Sequence, residues 1–156
     1  MTDRTLKIAF VDTGNTGRSV TAEALANVII REKGLPVAVI SRGVDMNPFF
    51  IGPEPHAATL LMQRGIDVSG HLAAPLTAND VRHADLVITL TEKHKATIVA
   101  QFPEATPKTF MISEYATGQA ADVPDAFGQE MPAYEEMVRQ VSAYVPLVLE
   151  KALKAG

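Results

Sequence analysis

Four short apolar runs, at 7–11, 37–41, 85–90 and 109–112, are separated by stretches in which apolar residues recur at helical spacing. That alternation constrains the fold more than any other feature of the chain. A strand with no polar alternation is buried on both faces, and a parallel sheet covered by helices on both sides provides that environment. Its strands must be joined by right-handed crossovers. The chain has 156 residues, 47% of them apolar. That suits one domain spanning 1–156 with a core needing no metal or cross-link.

The helical segments follow from periodicity and punctuation. Val20, Ala24, Leu25, Val28 and Ile29 set a helix from Arg18 to about Lys33, ended by Gly34-Leu35-Pro36. Helices are expected at 56–64, from 77 to about 82, and from the N-cap Thr91 to about Gln101, where Phe102-Pro103 stops the run. Tyr134, Met137, Val141, Val145 and Val148 form one stripe of a long amphipathic helix over 133–154. The loop at 43–55 is long, rich in Gly and Pro, and carries Phe49 and Phe50. The stretch at 113–132 is expected to be irregular.

In a doubly wound sheet, ligands bind beyond the carboxyl ends of the strands, where the strand order reverses. The turn Asp12-Thr13-Gly14-Asn15-Thr16-Gly17-Arg18-Ser19 occupies such an end. Two glycines and an asparagine allow a tight cradle of inward-pointing N–H groups. The following helix start and the planar fork of Arg18 add positive potential, so the loop is suited to an oxyanion such as phosphate.

Composition removes other chemistries. The formal net charge of −4 argues against a nucleic-acid or anionic-membrane surface. The chain contains no cysteine, which rules out disulfides, thiolate metal sites and thiol nucleophiles. His56, His71, His83 and His94 lack metal-ligand spacing, so surface or capping roles are expected for them. No cofactor or metal is implied. The polar start MTDRTL leads into a run too short for a signal peptide or a membrane span, so a cytoplasmic location is expected.

The segment FVDTGNTGRSVTAEALA resembles the phosphate-binding loop and first helix of the low-molecular-weight protein tyrosine phosphatases, whose pattern is Cys, five residues, Arg, Ser. GPEPHA at 52–57, GIDVSGHLAAPLT at 65–77, ADLVITLTEKH at 84–94 and DVPDAFGQEMPAYEEMVRQV at 122–141 resemble further family segments in the same order. The resemblance covers most of the chain. It implies a three-layer, doubly wound α/β domain with a four-stranded parallel sheet and helices on both faces. It also implies that Arg18 binds phosphoryl oxygens, that Asn15 and Ser19 organise the loop, and that Asp125 is the acid serving the leaving group. Phe49 would form a wall of the substrate slot.

The nucleophilic cysteine of that pattern is matched by Asp12, the second loop cysteine by Gly17, and the proline after the acid by Ala126. Thiol-dependent phosphatase or arsenate reductase chemistry is therefore excluded. A pseudophosphatase that binds phosphate, a phosphorylated small molecule or a phosphotyrosine protein is the leading expectation. The alternative is a phosphomonoesterase using Asp12 as nucleophile or water-orienting base and Asp125 as general acid. The loop N–H groups and Arg18 are expected to engage Asp12 and hold it ionised.

Overall fold

The computed structural model of the chain describes residues 4–155; residues 1–3 of the polar N-terminal stretch and Gly156 lie outside it. The chain begins with β1 (Leu6–Asp12), α1 (Arg18–Lys33) and β2 (Val37–Gly43). Next come α2 (Pro55–Gln63), α3 (Ala78–His83), β3 (Leu86–Thr89) and α4 (Glu92–Gln101). A 3-10 helix (Pro103–Lys108), β4 (Thr109–Met111), α5 (Ile112–Thr117) and α6 (Met131–Ala155) complete it.

The four strands form one parallel sheet in the order β2-β1-β3-β4. The chain steps outward from β1 to β2 and then returns to the other side of β1, so the order reverses between β1 and β3. Neighbouring crossovers leave in opposite directions there and open a crevice at the strand ends. Asp12 closes β1 at that crevice, paired in register with Gly43.

Alternate residues of β1 enter separate cores, which explains its unbroken apolar run. Ile8 and Phe10 face a large cluster with α1, α2, α5 and α6, to which Leu61, Ile112, Met137, Val141 and Leu149 contribute. Ala9 and Val11 face a smaller one with Val81 of α3, Ile98 of α4 and Ala105. The expected stripe of α6 lies in the larger cluster.

Three expectations are corrected. Asp12 is the last residue of β1 rather than part of the turn. Ile112 opens α5 instead of ending β4, so part of the stretch expected to be irregular is helical. A six-residue helix is too short to show a period; the Glu114 carboxylate caps it by accepting from the Met111 N–H at 3.1 Å. Between α4 and β4, Pro103–Lys108 forms the 3-10 helix, after Phe102-Pro103 ends α4 as expected. Among the described residues, no helix is long and apolar enough to cross a membrane.

The end of β2 braces the loop that follows β1. Val44 and Asp45 donate N–H bonds to the carbonyls of Asp12 (3.0 Å) and Thr13 (2.9 Å). A Cβ on Gly43 would lie 2.6 Å from the Thr13 carbonyl oxygen and 3.1 Å from the Asn15 nitrogen. Both are backbone atoms that cannot turn away. Gly43→Ala is therefore expected to destabilise the fold by about 1–3 kcal/mol, read from the urea midpoint, and an unchanged midpoint would show that the two segments are not clamped together.

Candidate functional site

A carboxylate at the end of a central strand is buried by the sheet and must find donors inside the protein. Asp12 finds them in the loop it begins. Its Oδ1 accepts from the Asn15 N–H at 2.7 Å and its Oδ2 from the Ser19 N–H at 2.9 Å. The loop curls around the carboxylate of its own first residue, as expected for contact with the cradle donors. The titration of Asp12 is set by opposing effects. Burial raises its pKa above the ordinary carboxylate value; the Ser19 N–H, the Arg18 charge and the Asn15 N–H act in the opposite direction.

Asn15 holds the curl. It takes a left-handed backbone conformation with φ of 59°, which asparagine tolerates better than most side chains. Its Nδ2 donates to Ser19 Oγ at 2.9 Å, and its Oδ1 accepts from the Ala74 N–H at 3.0 Å. Two histidines support the loop from outside. His71 Nε2 lies 2.8 Å from the Asn15 carbonyl oxygen, and His94 Nε2 lies 2.8 Å from Thr13 Oγ1. The surface or capping role expected for His94 is therefore corrected: the ring is buried behind the loop. Its Nδ1 has no hydrogen-bond partner among the described residues. Burial, and then the Arg18 charge, lower its pKa to about 4.

Arg18 opens α1 and is buried. Its Nη1 donates to the Val123 carbonyl at 2.9 Å, and its Nη2 lies 3.8 Å from Asp125 Oδ2. Asp125 is half exposed, so this ion pair is weak. Asp125 also makes the local turn, its Oδ1 accepting from the Phe127 N–H at 3.0 Å. Asp12, Arg18 and Asp125 do line one cavity of about 150 Å³, together with Thr13, Gly14, Thr16, Asp45, Asn47, Phe50, Glu54 and Phe127. Phe49 lies outside it and is 88% exposed. The aromatic wall consists of Phe50 and Phe127, whose rings meet edge to face at 5.1 Å. Asn15, Gly17 and Ser19 sit behind the cavity surface.

Glu54 is the residue that the sequence did not single out. It immediately precedes α2 and is tied to the loop by its N–H, which donates to the Thr16 carbonyl at 2.8 Å. Its side chain is 9% exposed. Oε2 accepts from the Thr16 hydroxyl at 2.7 Å and Oε1 from the Tyr134 hydroxyl at 2.5 Å. Burial, followed by the Glu54 hydrogen bond and charge, raises the Tyr134 pKa far above its ordinary value. A Cβ on Gly17 would lie 2.6 Å from Glu54 Oε2. A side chain at position 17 and Glu54 in this position exclude each other.

Comparison with known proteins agrees with the fold. The model of the family "Low molecular weight phosphotyrosine protein phosphatase" matches residues 7–155. A protein-arginine-phosphatase of Bacillus subtilis (strain 168) is 40% identical over 144 residues, covering 88% of this chain and 95% of the relative. A probable low molecular weight protein-tyrosine-phosphatase, EpsP of Ralstonia solanacearum, is 32% identical and covers 90% of this chain and 94% of its own length. Among solved structures, the arginine phosphatase YwlE, as a cysteine-to-serine mutant with a phosphorylated active-site serine, superposes with a TM-score of 0.90. It is 36% identical, and the match covers 96% of this chain and 97% of that one.

The two displaced pKa values act on stability in opposite directions. The His94 pKa falls from 6.5 to about 4 on folding, so in that window the unfolded chain binds more protons and stability drops as the pH falls. The Asp12 pKa rises from 3.8, so stability gained from its protonated form is lost as the pH increases through the folded value. His94→Gln, which retains a group able to reach Thr13, is expected to flatten the loss of stability between about pH 6.5 and pH 4. Urea unfolding across that range should bring the variant closest to, or above, wild type at the acidic end; parallel curves would show that His94 is not buried in its neutral form.

Proposed function

Because this chain belongs to the low molecular weight phosphotyrosine protein phosphatase family, we propose that it is a pseudophosphatase: a single-domain binding or regulatory module that keeps the family's oxyanion loop and has lost its thiol step. The observation carrying this reading is the Asp12 carboxylate, which accepts from both Asn15 and Ser19 inside the loop in a chain with no cysteine. The cradle donors are engaged before any ligand arrives.

A phosphorylated ligand entering the pocket competes with Asp12 for those donors. At an effective dielectric near 20, two unit charges about 4 Å apart repel by roughly 4 kcal/mol, on the order of a thousandfold in affinity. Protonation of Asp12 relieves that repulsion, and its raised pKa makes protonation easier. Arg18 offers less to an incoming oxyanion than an unengaged guanidinium would, because it already contacts Val123 and Asp125. A phosphate, a phosphorylated small molecule or a phosphotyrosine protein would therefore bind weakly to the wild-type chain. We place the protein in the cytoplasm, where such ligands would meet loop donors already hydrogen-bonded to Asp12.

The second reading, a phosphomonoesterase with Asp12 as nucleophile or water-orienting base, draws on one observation. Asp12 and Asp125 line the same cavity as Arg18. Against it, both oxygens of Asp12 already accept hydrogen bonds, and a carboxyl that burial favours in its protonated form is a poor nucleophile.

Wild-type protein is expected to show no turnover of an aryl phosphate or of phosphoarginine above a buffer blank. Turnover abolished by Asp12→Asn would overturn the pseudophosphatase reading. Asp12→Ala, which empties the cradle, should tighten binding of inorganic phosphate by about tenfold or more, measured by calorimetry at fixed ionic strength. Asp12→Cys alone is expected not to restore full phosphatase activity, because Glu54 fills the space over Gly17 and Asp125 is held in its own turn.

A further inference from the structure

We infer that the apolar surface beside the pocket is a docking site for a protein segment in which an apolar anchor is flanked by basic residues. The surface lies outside the cavity that holds Asp12, and the inference goes beyond the reading above, because it concerns a protein partner and does not depend on what the loop binds.

Exposed apolar area is the first observation. Seven large apolar side chains are exposed among the described residues, and five of them, Phe49, Phe50, Ile51, Leu72 and Phe127, belong to one surface. Phe49, Phe50, Ile51 and Phe127 line a single groove of about 620 Å³ that runs past Pro53 and Pro55 to His56. The Ala73 N–H donates to the Ile51 carbonyl at 2.8 Å, which brings the chain at Leu72 alongside. Single exposed apolar residues are ordinary, whereas a contiguous group rimmed by polar residues marks an interaction surface.

The anchors are held in place by the backbone. Asn47 turns the chain ahead of them: its Oδ1 accepts from the Phe49 N–H and its carbonyl from the Phe50 N–H, both at 3.0 Å. Phe127 meets Phe50 edge to face from the opposite wall. Groups ordered before a partner arrives lose less entropy on binding. Phe49 lies outside the Asp12 cavity, so that cavity does not account for its place on the surface.

Charge selects the occupant. The chain carries 14 lysines and arginines, yet none falls at 44–63, 65–81 or 118–138, the segments that build this surface. Asp45, Asp125 and Glu130 are exposed there. Asp45 and Asp125 line the neighbouring cavity with Phe50 and Phe127, and Glu130 follows Gln129 of the groove. Among the described residues neither Asp45 nor Glu130 makes an ion pair. A two-fold pairing of two copies would set this acidic rim against itself, and an anionic bilayer would repel it. A segment with basic groups beside an apolar anchor meets both features. The anchor fills the groove while the cations stay at the wet rim, where they add attraction and fix orientation.

The test screens the immobilised full chain against a random dodecapeptide library displayed on phage, then measures a synthetic peptide of the enriched sequence by calorimetry. Enriched sequences are expected to carry an aromatic or aliphatic residue flanked by Lys or Arg. Phe49→Ser, which alters an exposed side chain, should weaken the peptide by about tenfold. The double variant Asp45→Asn, Glu130→Gln should weaken it severalfold, as should added salt. No enrichment, enrichment of sequences without an excess of Lys or Arg, or binding indifferent to Phe49→Ser would overturn the docking site. Self-association in sedimentation velocity that Phe49→Ser abolishes would assign the surface to a second copy and overturn it too. Flotation with phosphatidylcholine–phosphatidylserine vesicles, lost on the same substitution, would overturn it in favour of a bilayer.

Discussion

A carboxylate buried at the end of the central strand has to be solvated by the protein, and the architecture around Asp12 is organised by that requirement. Its two oxygens draw the N–H groups of Asn15 and Ser19 inward, which fixes the curvature of the loop and the start of α1. Asn15 must then adopt a left-handed backbone, and its side chain is used twice, toward Ser19 and toward the 74–76 segment. The same set of donors that suits a phosphate in an oxyanion loop is satisfied here from within.

Neighbouring elements add their own constraints. Gly43 permits the close approach of β2 to the Thr13 carbonyl. His94 supports Thr13 from α4, and Glu54 clasps Thr16 from the start of α2. Elements that follow β1, β2 and β3 thus meet at one loop because the strand order reverses there, and the reversal directs these segments to the same end of the sheet. The crowding depresses the His94 pKa and raises that of Asp12, both through loss of water.

The residues at three positions form a consistent chemical set. A carboxylate at Asp12 fills the cradle, the missing side chain at Gly17 leaves space beside it, and the Glu54 carboxylate takes that space with support from Tyr134. Each adds negative charge or accommodates it. Asp12 and Glu54 line the same cavity, so its electrostatic character belongs to the group of residues.

Read from the sequence, the apolar runs determined a parallel sheet buried on both faces, and the spacing from Asp12 to Ser19 pointed to a tight loop at the carboxyl end of a strand. The absence of cysteine determined that no thiol chemistry is possible. These are local properties, set by side-chain period, backbone freedom and atom type. Tertiary structure decided that Phe50 and Phe127 line the cavity while Phe49 does not, that His94 is buried behind Thr13, and that α5 forms where an irregular stretch was expected. It also decided the role of Glu54, whose partners Thr16 and Tyr134 lie 38 and 80 residues away along the chain. Such contacts have no period and no local composition. They arise because packing brings distant groups together in a space that excludes water, where a hydroxyl and a carboxylate must find each other.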